Sequence, residues 1–168
     1  MAKIKGLKKL NKTITAQFSR FGISSITCSD EYAYHFDDES ITFKITEDIE
    51  DEWFTEFIKE RFDYEVQYPF VISILHEVGH HKTGDDIVDS VYQFCIDEKE
   101  RIDEEMSTED DPISKELEWQ YFNLPDEIMA TQWAVNYAKK HPRIIKKMWD
   151  EIQKAFSDFY TKNNVTDD

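Results

Sequence analysis

Pro69-Phe70-Val71-Ile72-Ser73-Ile74-Leu75-His76-Glu77-Val78-Gly79-His80 is the most apolar stretch of this 168-residue chain. Proline suits a first helical turn, where its missing N–H costs nothing, and a helix that is apolar nearly all round is a buried one. The spacing predicts a buried helix from Pro69 to about Gly84. Inside it His76-Glu77-Val78-Gly79-His80 fits the pattern H-E-x-x-H. Side chains four apart on a helix stand one turn above another, so the two imidazoles can direct nitrogens to one ion at about 2.0–2.1 Å. Glu77 lies beside them, placed to take a proton from water as that water attacks a carbonyl. The plainer alternative makes His76 and His80 core residues satisfied by their neighbours. Two imidazoles and a carboxylate within one turn of an apolar helix are then costly without partners. Gly79 costs about 1 kcal/mol relative to Ala in a helix interior, which makes sense if another backbone passes close by.

Outward from this helix the periodicity continues. Ile4, Leu7, Leu10, Ile14 and Phe18 recur at three- and four-residue steps and predict an amphipathic helix over residues 3–20. Tyr32, Tyr34 and Phe36, then Ile41, Phe43 and Ile45, alternate across a polar break and predict a hairpin, with a short strand before it at Ser24–Cys28. Helices follow at 49–62, 85–106, about 113–122, 125–140 and 142–161, the last three opened by Pro112, Pro125 and Pro142. The expected fold class is α+β: one mostly helical domain over residues 1–168, with a small antiparallel sheet at about 23–46 and a buried H-E-x-x-H helix.

Composition narrows the function classes. The net charge is −16, yet residues 1–20 carry six basic groups and no acid, leaving −22 on the remainder. Such a body repels phosphate backbones, so direct nucleic-acid binding is not expected. The acidic stretch from Asp97 to Asp111 reads as solvated surface. Two cysteines, Cys28 and Cys95, are too few for a disulfide framework, and a reducing, cytoplasmic setting fits them. No apolar run suits a signal peptide or a membrane-spanning helix, so no membrane partner is expected.

A hydrolytic zinc site takes three protein ligands and keeps a fourth position open. Asp86, ten residues after His76, and Glu127 both stand as candidates for the third. His81 is turned roughly 100° from His80 and suits the same ion poorly. From Glu127, Ala130, Ala134 and Ala138 recur at helical steps and give one narrow face of small side chains. The oxyanion donor stays open among His35, Tyr121, Tyr137 and His141.

Glu127-Ile128-Met129-Ala130-Thr131-Gln132-Trp133-Ala134 resembles the E-x-x-A-x-x-[FW]-A element of the ImmA/IrrE family of zincin-like metallopeptidases. That family's H-E-[LV]-G-H motif is likewise similar to residues 76–80. The resemblance spans about residues 65–140, with the acidic helical segment 85–122 as an insertion. It implies a gluzincin-like fold, Zn²⁺ held by His76, His80 and Glu127, and Glu77 as general base. It also implies a protein or peptide substrate, since members typically cleave transcriptional repressors and are common in phages and mobile elements. In such a site an extended substrate is expected to pair with a strand edge near residues 32–45. The competing expectation, from charge alone, is an acidic interaction protein that imitates nucleic acid, with the motif vestigial or structural.

Overall fold

The structure, a computed structural model, describes residues 4–106 and 114–163. The chain forms two compact units, Thr46–Tyr137 and the pair of segments Met1–Ile45 and Ala138–Asp168. Among the described residues there are seven helices and one three-stranded sheet, so the fold is α+β and mostly helical, as the periodicity predicts.

In the unit Thr46–Tyr137, α2 (Ile49–Phe62) opens on a capping box. The Asp48 carboxylate accepts the N–H groups of Glu50 and Asp51, and the Asp51 side chain accepts the N–H of Asp48. Caps of this kind stabilise a helix by about 1 kcal/mol. Phe57 is buried, and its ring meets Trp119 and Phe122 of α5 (Lys115–Phe122) at centroid distances of 5.5 and 5.3 Å. The helix α3 (Pro69–Thr83) carries the motif, and every residue from Phe70 to Gly79 is buried.

A 3-10 turn at Gly84–Asp86 follows, and Ile87 is extended, so α4 begins only at Asp89 and runs to Met106. The expected start at residue 85 falls in that turn. Cys95 and Ile102 are buried with Leu124, while Phe94 is 50% exposed, which makes Cys95 the inward residue of the two. Ser114 caps α5 by accepting the N–H of Leu117. Pro112 and residues 107–111 of the acidic stretch lie outside the described residues.

The helix α6 (Pro125–Lys140) buries Ala130 and Ala134 fully. A Cβ on Gly79 would stand 2.3 Å from the backbone oxygen of Ala130. Only glycine permits that approach, which sets the middle of α3 directly against α6.

In the other unit, α1 (Leu7–Phe18) buries Leu10, Ile14 and Phe18, and α7 (Pro142–Asn163) buries Ile145, Met148, Ile152 and Phe159. The two helices pack together. Ile4 is 56% exposed rather than on the buried face, because Gly6, at φ 82°, turns the chain and starts the helix at Leu7. The strands β1 (Ile26–Cys28), β2 (Ala33–His35) and β3 (Ser40–Phe43) stand in the order β1-β3-β2. The hairpin is present, with Tyr34 opposite Ile41 in an antiparallel pair.

The sheet as a whole is mixed, however, which corrects the antiparallel expectation: β1 runs parallel to β3, with Ile26 opposite Ile41. The direction follows from the order: β3 lies between β1 and β2 and reverses against β2, so it runs the same way as β1, and the choice of β1 edge lies with α1. Thr15 Oγ1 accepts the N–H of Ile26 at 2.9 Å and Asn11 Oδ1 that of Cys28 at 3.2 Å, so the outer edge of β1 is taken and β3 joins its inner edge.

Candidate metal centre

All the groups of the centre belong to the unit Thr46–Tyr137. α3 is buried on every side through Gly79, which carries His76 and Glu77 into the interior, at 6% and 7% exposure. α6 brings Glu127 in its first turn, 3% exposed. The close crossing at Gly79 and Ala130 joins them, because Ala130 follows Glu127 by three residues and Gly79 precedes His80 by one.

His76, His80 and Glu127 therefore form a group able to hold a metal ion, with one ligand atom from each lying within 4.8 Å of the others. His76 Nε2 is 2.8 Å from Glu127 Oε2 and 3.2 Å from His80 Nε2, and His80 Nε2 is 3.3 Å from Glu127 Oε1. Donor atoms about 2.0–2.1 Å from a tetrahedral ion stand roughly 3.3 Å apart, and the separation of the two imidazole nitrogens suits one such edge, while each carboxylate oxygen of Glu127 faces one imidazole. Glu77 is set slightly back, its Oε1 4.0 Å from His76 Nε2. That is within reach of a water beside the group rather than of the group's own centre.

Hydrogen bonding places a proton on one nitrogen of His76. Thr131 Oγ1 donates to the Glu127 carbonyl at 2.8 Å and lies 2.9 Å from His76 Nδ1. A hydroxyl has one hydrogen, so toward His76 the Thr131 oxygen accepts and Nδ1 carries the proton. His76 Nε2 is then the ring atom that faces a carboxylate oxygen at 2.8 Å and a second imidazole nitrogen at 3.2 Å. Imidazole protons are shared with the Glu127 carboxylate here, and an ion in their place would receive the Nε2 lone pairs and a carboxylate oxygen instead. The Phe54 and His76 rings meet edge to face, with centroids 5.1 Å apart.

Charge points the same way. Glu77, Asp126 and Glu127 are buried carboxylates, and the ammonium of Lys99 lies 2.5 Å from Asp126 Oδ2 and 2.6 Å from Glu127 Oε1. One ammonium against three acids leaves two negative charges, which a divalent ion or two imidazolium rings can balance. Burial pushes Glu77 above the usual carboxyl range, opposed in part by the neighbouring imidazoles. For Glu127 burial also acts upward, but the His80 charge and the imidazole hydrogen bonds outweigh it and hold the carboxyl well below its ordinary range. Burial disfavours charge on His80, yet the Glu127 carboxylate beside it prevails and pushes the imidazole up to about 9. The Glu127 charge, with burial second, drives the Tyr121 phenol far up.

Of the two candidates for third ligand, Glu127 is in the group. Asp86 is exposed in the 3-10 turn and outside it. His81 is half-buried and also outside it. Tyr121 lies beside Lys99, whose Nζ is 5.2 Å from the ring centroid, while Tyr137 stacks on Trp133 and His35 faces Thr42 in the sheet.

The sequence alone does not single out Thr131, Asp126 or Lys99. The available signals are slight: Thr131 is one turn after Glu127, and Lys99 falls between Cys95 and Ile102 at helical steps, a cation inside an apolar stripe. No protein-family model, curated protein or solved structure matches the chain. The chemistry of the centre is therefore read from its own groups.

Proposed function

We propose that the chain is a zinc-dependent metallopeptidase that hydrolyses a peptide bond in an intracellular protein, a regulator being the substrate that the family resemblance suggests. The observation that carries this reading is the convergence of His76 Nε2, His80 Nε2 and the Glu127 carboxylate, with the Glu77 carboxylate 4.0 Å from the first of them. Two imidazoles and one carboxylate are the donor set of hydrolytic zinc sites, which keep a position open for water. The residues fit the ion in donor type, in spacing and in charge. When bound, zinc would supply a Lewis acid and make water acidic enough to react near neutral pH.

The chain's own groups supply the rest. Thr131 holds the proton on His76 Nδ1 and so keeps Nε2 turned inward as a lone-pair donor. Phe54 shields that ring from solvent. Glu77 takes a proton from the attacking water as its oxygen adds to the peptide carbonyl carbon, then delivers that proton to the departing amine nitrogen. Burial, which raises the Glu77 carboxyl, brings its proton affinity closer to working pH and suits both halves of that transfer.

The test is Glu77→Gln beside His76→Ala, read by metal content and by cleavage of a mixed peptide library followed by mass spectrometry. Glu77→Gln is expected to retain about one zinc per chain and to lose activity by roughly 10²- to 10⁴-fold, the usual share of a general base. His76→Ala is expected to lose both. Unchanged cleavage in Glu77→Gln, or purified protein without stoichiometric metal, would overturn the reading. An activity insensitive to Glu77 but abolished by His76→Ala would assign the ion a structural task instead.

A further inference from the structure

The Glu127 carboxylate is held by a lysine as well as by the imidazoles. Lys99 stands on α4 one turn after Cys95 and three residues before Ile102, both buried in the small cluster that includes Leu124. Its stem thus starts from an anchored helix face, and its ammonium reaches the first turn of α6. There it lies 2.6 Å from Glu127 Oε1 and 2.5 Å from Asp126 Oδ2. Asp126 Oδ1 in turn accepts the Glu127 N–H at 2.9 Å. Oε2 is left facing His76 Nε2 at 2.8 Å.

Oε1 is also within reach of the centre, 3.3 Å from His80 Nε2, but its shorter contact is with Lys99. A carboxylate binds a cation through one oxygen or both. In a site with two imidazoles, a second oxygen would fill the position that hydrolysis requires for water.

We propose that Lys99 is a positioning residue that engages Oε1 of Glu127, so that this carboxylate offers a single oxygen to a bound ion and one coordination position stays free. The proposal rests on the metal-centre reading above. It gives the segment between α3 and α6 a task that its acidic composition hides: it delivers the one cation that limits how the third ligand binds. Asp126 steers that cation from its other side.

Visible absorption of the Co²⁺-substituted protein tests this, because four-coordinate Co²⁺ absorbs far more strongly than higher-coordinate Co²⁺. The proteins compared are wild type, Lys99→Met, Asp126→Asn and His76→Ala. Wild type is expected to give the strong four-coordinate band. Lys99→Met is expected to bind one equivalent of Co²⁺ with a much weaker band, and to lose roughly tenfold or more in kcat with little change in KM. Asp126→Asn, which keeps the lysine and removes one of its anchors, is expected to fall between them and serves alone if Lys99→Met does not fold.

A merely structural lysine would lower thermal stability and leave the spectrum of bound Co²⁺ unchanged. Stoichiometric binding with superimposable spectra in wild type and the folded variants overturns the assignment of Lys99 alone. A wild type that takes up no Co²⁺, or takes it up equally in His76→Ala, overturns the metal centre and this assignment with it.

Discussion

Thr131 Oγ1 and His76 Nδ1 lie 2.9 Å apart, with the threonine hydrogen already donated to the Glu127 carbonyl, so one hydroxyl ties the His76 ring to the backbone of Glu127. The contact is fully internal, since Thr131 is 1% exposed. Partners of this kind orient a ligand ring and fix its tautomer. Thr131→Val keeps the shape and removes the acceptor. It is expected to weaken zinc binding by roughly 10- to 100-fold in a chelator competition. Thr131→Ser is expected to retain most of the affinity, and equal binding by Val and Thr would show that the tautomer is set elsewhere.

Gly79 and Ala130 make the crossing that brings His80 and Glu127 together. An alanine at 79 gains about 1 kcal/mol of helix propensity but places its Cβ 2.3 Å from a backbone oxygen, which cannot swing aside as a side chain can. Gly79→Ala is therefore expected to destabilise the fold by about 2 kcal/mol or more, a fall in Tm of several degrees for a chain of this size. Calorimetry reads it directly, and a raised Tm would mean the helices part without cost.

Protonation in the metal-free protein gives a pH signature. His80 sits at about 9 against an ordinary 6.5. A group raised on folding contributes stability that is complete below its unfolded value and lost as pH climbs through its folded one. Glu127 is lowered and contributes in the opposite sense, with stability present above the ordinary 4.5 and lost as pH falls. Metal-stripped protein is thus expected to be most stable near pH 5–6 and to lose on the order of 3 kcal/mol by about pH 9–10. Urea midpoints at pH 6, 7.5 and 9 in chelator measure this. A flat profile would place His80 outside the influence of Glu127.

Zinc should reverse that trend, since an ion selects the unprotonated imidazole and binds only the folded chain. At a thousandfold excess over Kd the gain is about 4 kcal/mol, or roughly 10 °C in Tm. Asp86→Asn is expected to show the same shift as wild type, because Asp86 is exposed and apart from the ligand group. A diminished shift in that variant would reinstate Asp86 as a donor.

Much of this molecule can be read along the chain. Pro69, Pro125 and Pro142 each stand at the first residue of a helix, and the helical spacing of α2 and the unbroken apolar run of α3 yield their extents with little error. His76 and His80 are legible because their meeting is local, one turn of one helix. Glu127 becomes visible through the small residues behind it, which announce close packing without saying against what. Lys99 and Thr131 remain hidden for a physical reason: their roles arise from contacts 28 and 55 residues away in sequence, and neither lysine nor threonine is chemically unusual where it stands. The place of β3 beside β1 escapes for a related reason, as alternation does not show that Asn11 and Thr15 of α1 occupy the backbone donors on the other edge of β1.

Those two side chains also decide how the sheet behaves toward other molecules. With Asn11 and Thr15 seated on Ile26 and Cys28, α1 works as a stopper on one flank, and any strand that extends this sheet must add at Ala33–His35. Clipping the chain within its first helix would bare those amides and turn a one-sided ribbon into a template open on both flanks, the circumstance in which small sheets begin to stick to one another.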